Sequence, residues 1–251
     1  MSKFISKQSV AIWYALTALL ATFLVGQVIL WFFPDRSSMG ASLLFILMNL
    51  IPLIVAAVFS LVLSEVNSLG EFFKKVFLQK ESSLSWILAF FIPVIYYGIS
   101  ILLMNVRFTG NSLLAFFIYF PWTLLYGGLE EVGWRWFLQD HLSFSKHFIP
   151  KMMLLSIVWF LWHIPIYQLP WITAGSSNYL IFYLMILGNT FLFGALKEYS
   201  KGAVPCILAH MLIDSLAVLM LVQSSLPQII LLVIFEILVA SWLVAARKSE
   251  K

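Results

Sequence analysis

Time after time this chain runs through about 20 mostly apolar residues before meeting charge, Pro, Asn or Gly, and that is the length a helix needs to cross a hydrocarbon core. Eight such runs occupy 10–33, 42–63, 86–104, 113–133, 152–166, 178–196, 204–222 and 227–246. The fourth carries charge at its end and the fifth is short. With 62% hydrophobic residues and a mean hydropathy of +0.99, the composition excludes a soluble domain. The reading is an all-α, polytopic transmembrane helical bundle of about eight spans.

Charge sets the orientation. Lys3 and Lys7 precede the first run; Lys74, Lys75 and Lys80 follow the second; Lys146 and Lys151 follow the fourth; Lys197 and Lys201 follow the sixth; Arg247, Lys248 and Lys251 follow the eighth. Arg36 and Arg107 fall on the other side, and Arg135 lies inside the array. The positive-inside rule therefore places both termini in the cytoplasm. The first run follows Lys3 and Lys7 as a signal peptide would, but it is too long for an h-region and has no small-residue cleavage site, so it is expected to stay as an anchor. A net charge of +4, spread along the chain, gives no footprint for nucleic acid. The single Cys206 excludes an internal disulfide and any Cys₄ or Cys₂His₂ metal site. No repeat, low-complexity tract or linker divides the chain, so 1–251 reads as one integral membrane domain.

Against this background, ionisable groups inside the runs need a reason. At mid-depth each costs about 2.5 to 3.5 kcal/mol on insertion scales, and such groups usually face a polar cavity and act there. The candidates are Glu130, Glu131, Arg135, His163, His210, Asp214 and Glu236. Glu131 and Arg135 are four apart, in the favourable order for an ion pair on one helix face. Glu130 points about 100° away on ideal helix geometry. It is left without that partner, as suits a general base in a low-dielectric cavity. His210 and Asp214 share a face of the seventh run, and His163 stands near the end of the fifth.

Three helices thus offer Glu, His and His with Asp to one interior site, a set able to position a water, take its proton and stabilise an oxyanion. The same set can hold a divalent metal, since two imidazoles and a carboxylate form a common catalytic zinc site; Glu130, His163 and His210 are its candidate ligands. Each element has a plainer reading. A Glu–Arg pair at this spacing is more often scaffold than chemistry, and a lone buried His is more often a hydrogen-bonded interior residue. It is the combination on three spans that points to a site. Glu236 has no partner at helical spacing and reads as structural or pore-facing. His141 and His147 read as solvated residues of the connection after the fourth run. Gly127 and Gly128 permit close helix packing or a local break, with packing the stronger expectation. Aromatic residues near the span ends fit an interfacial belt.

Glu130-Glu131-Val132-Gly133-Trp134-Arg135, then Trp159-Phe160-Leu161-Trp162-His163, then His210-Met211-Leu212-Ile213-Asp214 resemble the three motifs of the CAAX-protease and bacteriocin-processing (CPBP, or Abi) family of intramembrane proteases. The resemblance covers about 113–222, the motif-bearing protease core. It implies a CAAX prenyl endopeptidase-like enzyme that hydrolyses a peptide bond inside the membrane, with Glu130 and His163 activating water, His210 and Asp214 stabilising the oxyanion or completing a metal site, and Glu131 and Arg135 supporting them. It leaves open a metalloendopeptidase using Zn against a metal-free glutamate mechanism. Two positions depart from the pattern. Trp159 replaces the usual Phe, a swap expected to change little, and Trp136 replaces the usual Gly after the Arg, where an indole is expected to narrow the substrate path or alter packing.

The expected partners are membrane lipids and a hydrophobic or lipidated peptide, a prenylated CAAX tail or a bacteriocin-related peptide, cleaved near the cytoplasmic surface. The tight loops suggest a bacterial plasma membrane. The rivals are a non-catalytic membrane immunity or scaffold protein that keeps the motifs without turnover, and a proton-coupled transporter. Confinement of the polar residues to the second half of the chain disfavours transport, because transporter folds usually repeat their broken helices in both halves.

Overall fold

The computed structural model describes residues 6–33, 38–143, 147–172, 178–223 and 225–249. Lys3, Arg36, Lys146 and Lys251, used in the charge count, lie outside the described residues. The elements in chain order are α1 Lys7–Phe32, α2 Met39–Val62, α3 Leu69–Phe77, α4 Ser83–Leu102, β1 Val106–Phe108, α5 Leu113–Tyr126, α6 Phe148–Tyr167, α7 Tyr179–Tyr199, α8 Val204–Leu216, β2 Met220–Val222 and α9 Leu226–Ser249. After α5 the chain stays helical but changes pitch, through a 3₁₀ turn Gly128–Glu130, a π-helix Val132–Leu138 and a last turn Gln139–His141.

Among the described residues seven helices are long and apolar enough to cross a membrane, with Leu113–His141 counted as one; this is an integral, multi-pass, all-α bundle. Serines start several of them. Ser6, Ser38, Ser68 and Ser82 each accept the backbone N–H three residues on, which satisfies a donor that the first turn leaves free. Trp13, Leu20 and Phe23 of α1, Phe90 and Val94 of α4 and Leu231 and Leu238 of α9 are exposed and form part of the lipid-facing surface.

The seventh apolar run departs from expectation. Its helix, α8, stops at Leu216, and Met220–Val222 instead pairs antiparallel with Val106–Phe108, Arg107 opposite Leu221. A continuous apolar run does not distinguish a helix from a helix followed by a strand. The helix of the fifth run, α6, is longer than the run itself, since Phe148–Lys151 adds a first turn. The sequence reading also missed α3, nine residues whose Leu69, Phe72, Phe73 and Val76 lie on one side while Glu71, Lys74 and Lys75 face water.

The two ends of the bundle are built differently. At the lysine-rich end, Ala203 N–H donates to Val76 O (2.9 Å), Gly202 N–H to Glu81 Oε1 (2.6 Å) and Ser85 Oγ–H to Tyr199 O (2.6 Å). Lys197 pairs with Asp140 at 3.1 Å, and Tyr199 Oη–H reaches Leu243 O near the end of α9. At the opposite end the β1–β2 ribbon is tied by Thr109 Oγ1–H to Val218 O (2.6 Å), and Gln228 donates to Leu103 O (2.6 Å). His141 lies at the lysine-rich end and is not a solvated residue. It is buried, stacks on Phe137 with 4.2 Å between centroids, and places Nε2 2.8 Å from Glu65 Oε1, a partner 76 residues away that helical spacing cannot reveal. His147 is exposed, as expected.

Candidate active site

The motif helix changes pitch just where its carboxylates are needed. Gly127 lies under Asp214 and His210, and a Cβ there would collide with Asp214 Oδ2; Gly128 meets Ile207 and Met211 in the same way. Missing side chains therefore let α8 press onto the 3₁₀ turn, the packing role expected of these glycines. Thr123 of α5 strengthens the contact, its hydroxyl 3.2 Å from Ser215 Oγ, and Tyr97 of α4 donates to Ile213 O at 2.9 Å. Beyond the turn the π-helix begins. Wide turns of this kind are rare and cluster at functional sites.

Glu131 and Arg135 are fully buried and joined by an Nε–H···Oε2 bond of 2.8 Å. The other Glu131 oxygen, Oε1, lies 2.8 Å from His210 Nδ1. An ionised carboxylate can only accept, so Nδ1 carries the proton and His210 Nε2 is directed at Asp214 Oδ2, 3.5 Å away. The guanidinium of Arg135 sits 4.7 Å from the ring centre of Trp159 and 5.5 Å from that of Phe193, while Nη1 and Nη2 have no hydrogen-bond partner among the described residues. Aromatic faces stabilise a desolvated cation that lacks acceptors. Glu131 is thus the centre of a network that holds α8 to the motif helix.

Glu130 is held otherwise. Its Oε1 accepts the indole N–H of Trp159 at 3.1 Å and lies 3.6 Å from His210 Nδ1, and its Oε2 has no hydrogen-bond partner among the described residues. It makes no ion pair with Arg135, as the spacing implies. Trp159 changes more than expected, since a Phe at this position has no N–H to donate. Trp136, expected beside the site, instead meets Phe72 of α3 edge-on at 5.4 Å. It lines neither of the cavities described below.

His163 packs against Trp162 and Phe182, with centroids at 4.8 and 5.2 Å. Its Nδ1 lies 2.8 Å from Trp159 O; a carbonyl only accepts, so Nδ1 is the donor and Nε2 is left for the cavity. Glu130, His163, His210 and Asp214 all line one cavity of about 450 Å³. A second, of about 770 Å³, adjoins the same His163, His210 and Asp214 and adds Trp159, Phe193 and Arg107. Glu236 is apart from both, buried on α9 over Gly188 of α7, its two oxygens without hydrogen-bond partners among the described residues.

Among the described residues, the donor group close enough to share one metal ion is Glu130, Glu131 and His210, whose ligand atoms lie within 4.8 Å of one another. His163 stands outside that group.

Residues 112–216, somewhat under half of the chain, match the family model described as type II CAAX prenyl endopeptidase Rce1-like. This stretch is similar to the CAAX-protease family. The match runs from the start of α5 to the end of α8 and contains all three motifs. No curated protein matches the chain. The Rce1-like match takes in the motif core, and the helices outside it, α1 to α4 and α9, complete the bundle.

Proposed function

We propose that the chain is a glutamate-dependent intramembrane endopeptidase that hydrolyses a bond in a membrane-associated peptide, CAAX-type or bacteriocin-related, with Glu130, His163, His210 and Asp214 as its reacting set. The observation that carries this reading is the division of labour between adjacent carboxylates. Both oxygens of Glu131 are engaged by Arg135 and His210, whereas Glu130 keeps Oε2 unpartnered among the described residues on a cavity wall shared with His163, His210 and Asp214.

A water between Glu130 and His163 Nε2 gives its proton to Glu130 as its oxygen adds to the scissile carbonyl. The carbonyl oxygen becomes an oxyanion, for which His210 in its doubly protonated form is the available stabiliser, with Nδ1–H held by Glu131, Nε2–H free to donate and Asp214 supporting the imidazolium. Collapse then breaks the C–N bond, and the departing amine takes the proton from Glu130, which restores the carboxylate. Trp159 orients Glu130 throughout. Two carboxylates and an imidazole are also a chemically suitable donor set for zinc, which Glu130, Glu131 and His210 would hold and which would act as a Lewis acid toward water and carbonyl.

The test is cleavage of a fluorogenic hydrophobic peptide by detergent-purified protein and by Glu130→Gln, each with and without chelator. Turnover lost in the variant, with an unchanged unfolding profile, supports the assignment, and loss on chelation assigns the metal. Full turnover in Glu130→Gln removes Glu130 from the chemistry. No turnover by the wild type on any of a panel of prenylated and unmodified peptides favours the scaffold alternative.

A further inference from the structure

We propose that α3 carries a binding site for an anionic phospholipid, with the phosphate held by Lys74, Lys80 and Lys201 and the acyl chains laid along Leu69 and Phe73, and that this lipid braces the two helices bearing the reacting set. The lipid site stands on the surface of α3 itself; its effect on turnover rests on the protease reading above.

Short connections, 63–68 and 78–82, tie α3 to the ends of two spans, α2 and α4, so the helix lies where the bilayer gives way to water. Its outline has three parts. Phe72 and Val76 are buried against the bundle. On the neighbouring edge Leu69 and Phe73 are 64% and 52% exposed, Phe77 packs on Phe73 with 4.9 Å between centroids, and Leu78, 65% exposed, extends the edge past the helix end. Glu71, Lys74 and Lys75 take the remainder. An apolar edge of this size is costly in water and is satisfied by acyl chains.

The cations beside this edge are not equivalent. Lys75 is neutralised by Glu71 at 2.9 Å and donates to Glu65 O at 2.6 Å. Lys74 follows the apolar edge, about 60° beyond Phe77 on ideal helix geometry. Lys74, Lys80 and Lys201 are all exposed, and none has a carboxylate partner among the described residues. The carboxylates of this end are engaged elsewhere. Glu65 meets His141, Asp140 meets Lys197, and Glu81 accepts the backbone N–H groups of Lys201 at 2.9 Å and Gly202 at 2.6 Å. The Glu81 bonds, with the Val76–Ala203 bond, bring Lys201 to the same patch as Lys80. Unpaired cations beside an exposed apolar edge complement a phosphate that carries chains, whereas a free phosphate has no use for the edge.

The buried side of α3 leads to the site. Phe72 meets Trp136 edge-on, one residue beyond the Arg135 that holds Glu131. Val76 O accepts from Ala203, the residue that caps α8, the helix of His210 and Asp214. One short helix thus touches both halves of the network that the Glu131–His210 bond joins. A lipid that presses α3 onto the bundle holds those halves together.

The test uses the full chain in detergent with dioleoyl phosphatidylglycerol, and native mass spectrometry reads the lipid retained. Expected is retention of phosphatidylglycerol over phosphatidylcholine by the wild type. Lys74→Gln, Lys80→Gln and Lys201→Gln should each weaken it about fivefold, the effect of one basic side chain at an anionic surface. These positions are exposed, so each variant keeps the fold. Phe73→Ser should also lower retention, Lys7→Gln in the first turn of α1 should not, and glycerol 3-phosphate, which has the charge without the chains, should not displace the lipid. Equal retention by wild type and all three lysine variants, or full displacement by glycerol 3-phosphate, overturns the site. Turnover of an uncharged peptide is then compared in phosphatidylcholine vesicles with and without phosphatidylglycerol. Stimulation of the wild type that is lost in Lys74→Gln supports the brace, and equal stimulation of both removes it. If no peptide is cleaved in any lipid the protease reading fails, while the retention result still decides the lipid site.

Discussion

Two buried carboxylate sites occupy this bundle, and they are treated in opposite ways. On the motif helix, Glu131 is fully buried yet satisfied on both oxygens, and its neighbour Glu130 is held on one. On α9, Glu236 is as deeply buried but has no hydrogen-bond partner among the described residues and is accommodated only because Gly188 leaves room. A buried ionisable group with its partners in place fixes the geometry around it, while one without partners costs free energy and fixes little. The comparison separates a site that has been assembled from one that is tolerated.

The largest effect is expected at Glu130. Glu130→Gln keeps the shape and the Trp159 contact but removes the proton acceptor, which should lower kcat by about 10²- to 10⁴-fold. Single-turnover cleavage in detergent measures it, and an effect below tenfold would erase the contrast between the two carboxylate sites. Next is Arg135→Ala, which leaves buried Glu131 with His210 as its one remaining partner and its Oε2 unsatisfied, and should destabilise the fold by about 3 kcal/mol. Thermal unfolding in micelles should show the loss whether or not peptide is present.

Trp159→Phe retains the aromatic face under Arg135 and removes one donor to Glu130. A hydrogen bond to a charged group contributes about 1.5–3 kcal/mol, and only part of it acts in the transition state, so kcat should fall by roughly tenfold with KM little changed. A matching rise in KM would mean that Trp159 contacts substrate instead of orienting the glutamate. The smallest effect belongs to Glu236→Leu. Replacing an unpaired buried carboxylate by an apolar group should leave activity intact and shift stability by about 0 to +2 kcal/mol. A loss of activity there would show that α9 communicates with the motif site.

Much of this was readable from the chain, for physical reasons that also mark where reading stops. The spans announce themselves because lipid demands unbroken apolar length, and Glu131 with Arg135 and His210 with Asp214 announce themselves because i, i+4 neighbours meet on a helix. What joins them is invisible to spacing. The Glu131–His210 bond links residues 79 apart, and the Trp159 indole N–H bridges 29. The sequence view of Trp159 as an inert swap failed because it compared ring sizes and not donors. The placement of Trp136 beside the site took adjacency to Arg135 in the sequence for adjacency in space, whereas its indole packs on Phe72 of α3. The truncation of the seventh span was hidden for a related cause, since Met220–Val222 is as apolar as the helix before it and reveals itself as a strand only beside Val106–Phe108.

The π-helix at Val132–Leu138 has a genetic consequence. A wide turn behaves as an α-helix that has taken in an extra residue, and removing one residue is the simplest way to restore the tighter, intrinsically favoured pitch. A single-codon deletion in this segment should therefore be tolerated by the membrane insertion machinery and by the helix itself, while turning everything before it relative to everything after. Loss of one residue here should therefore leave the span intact while breaking the alignment of Glu131 with His210.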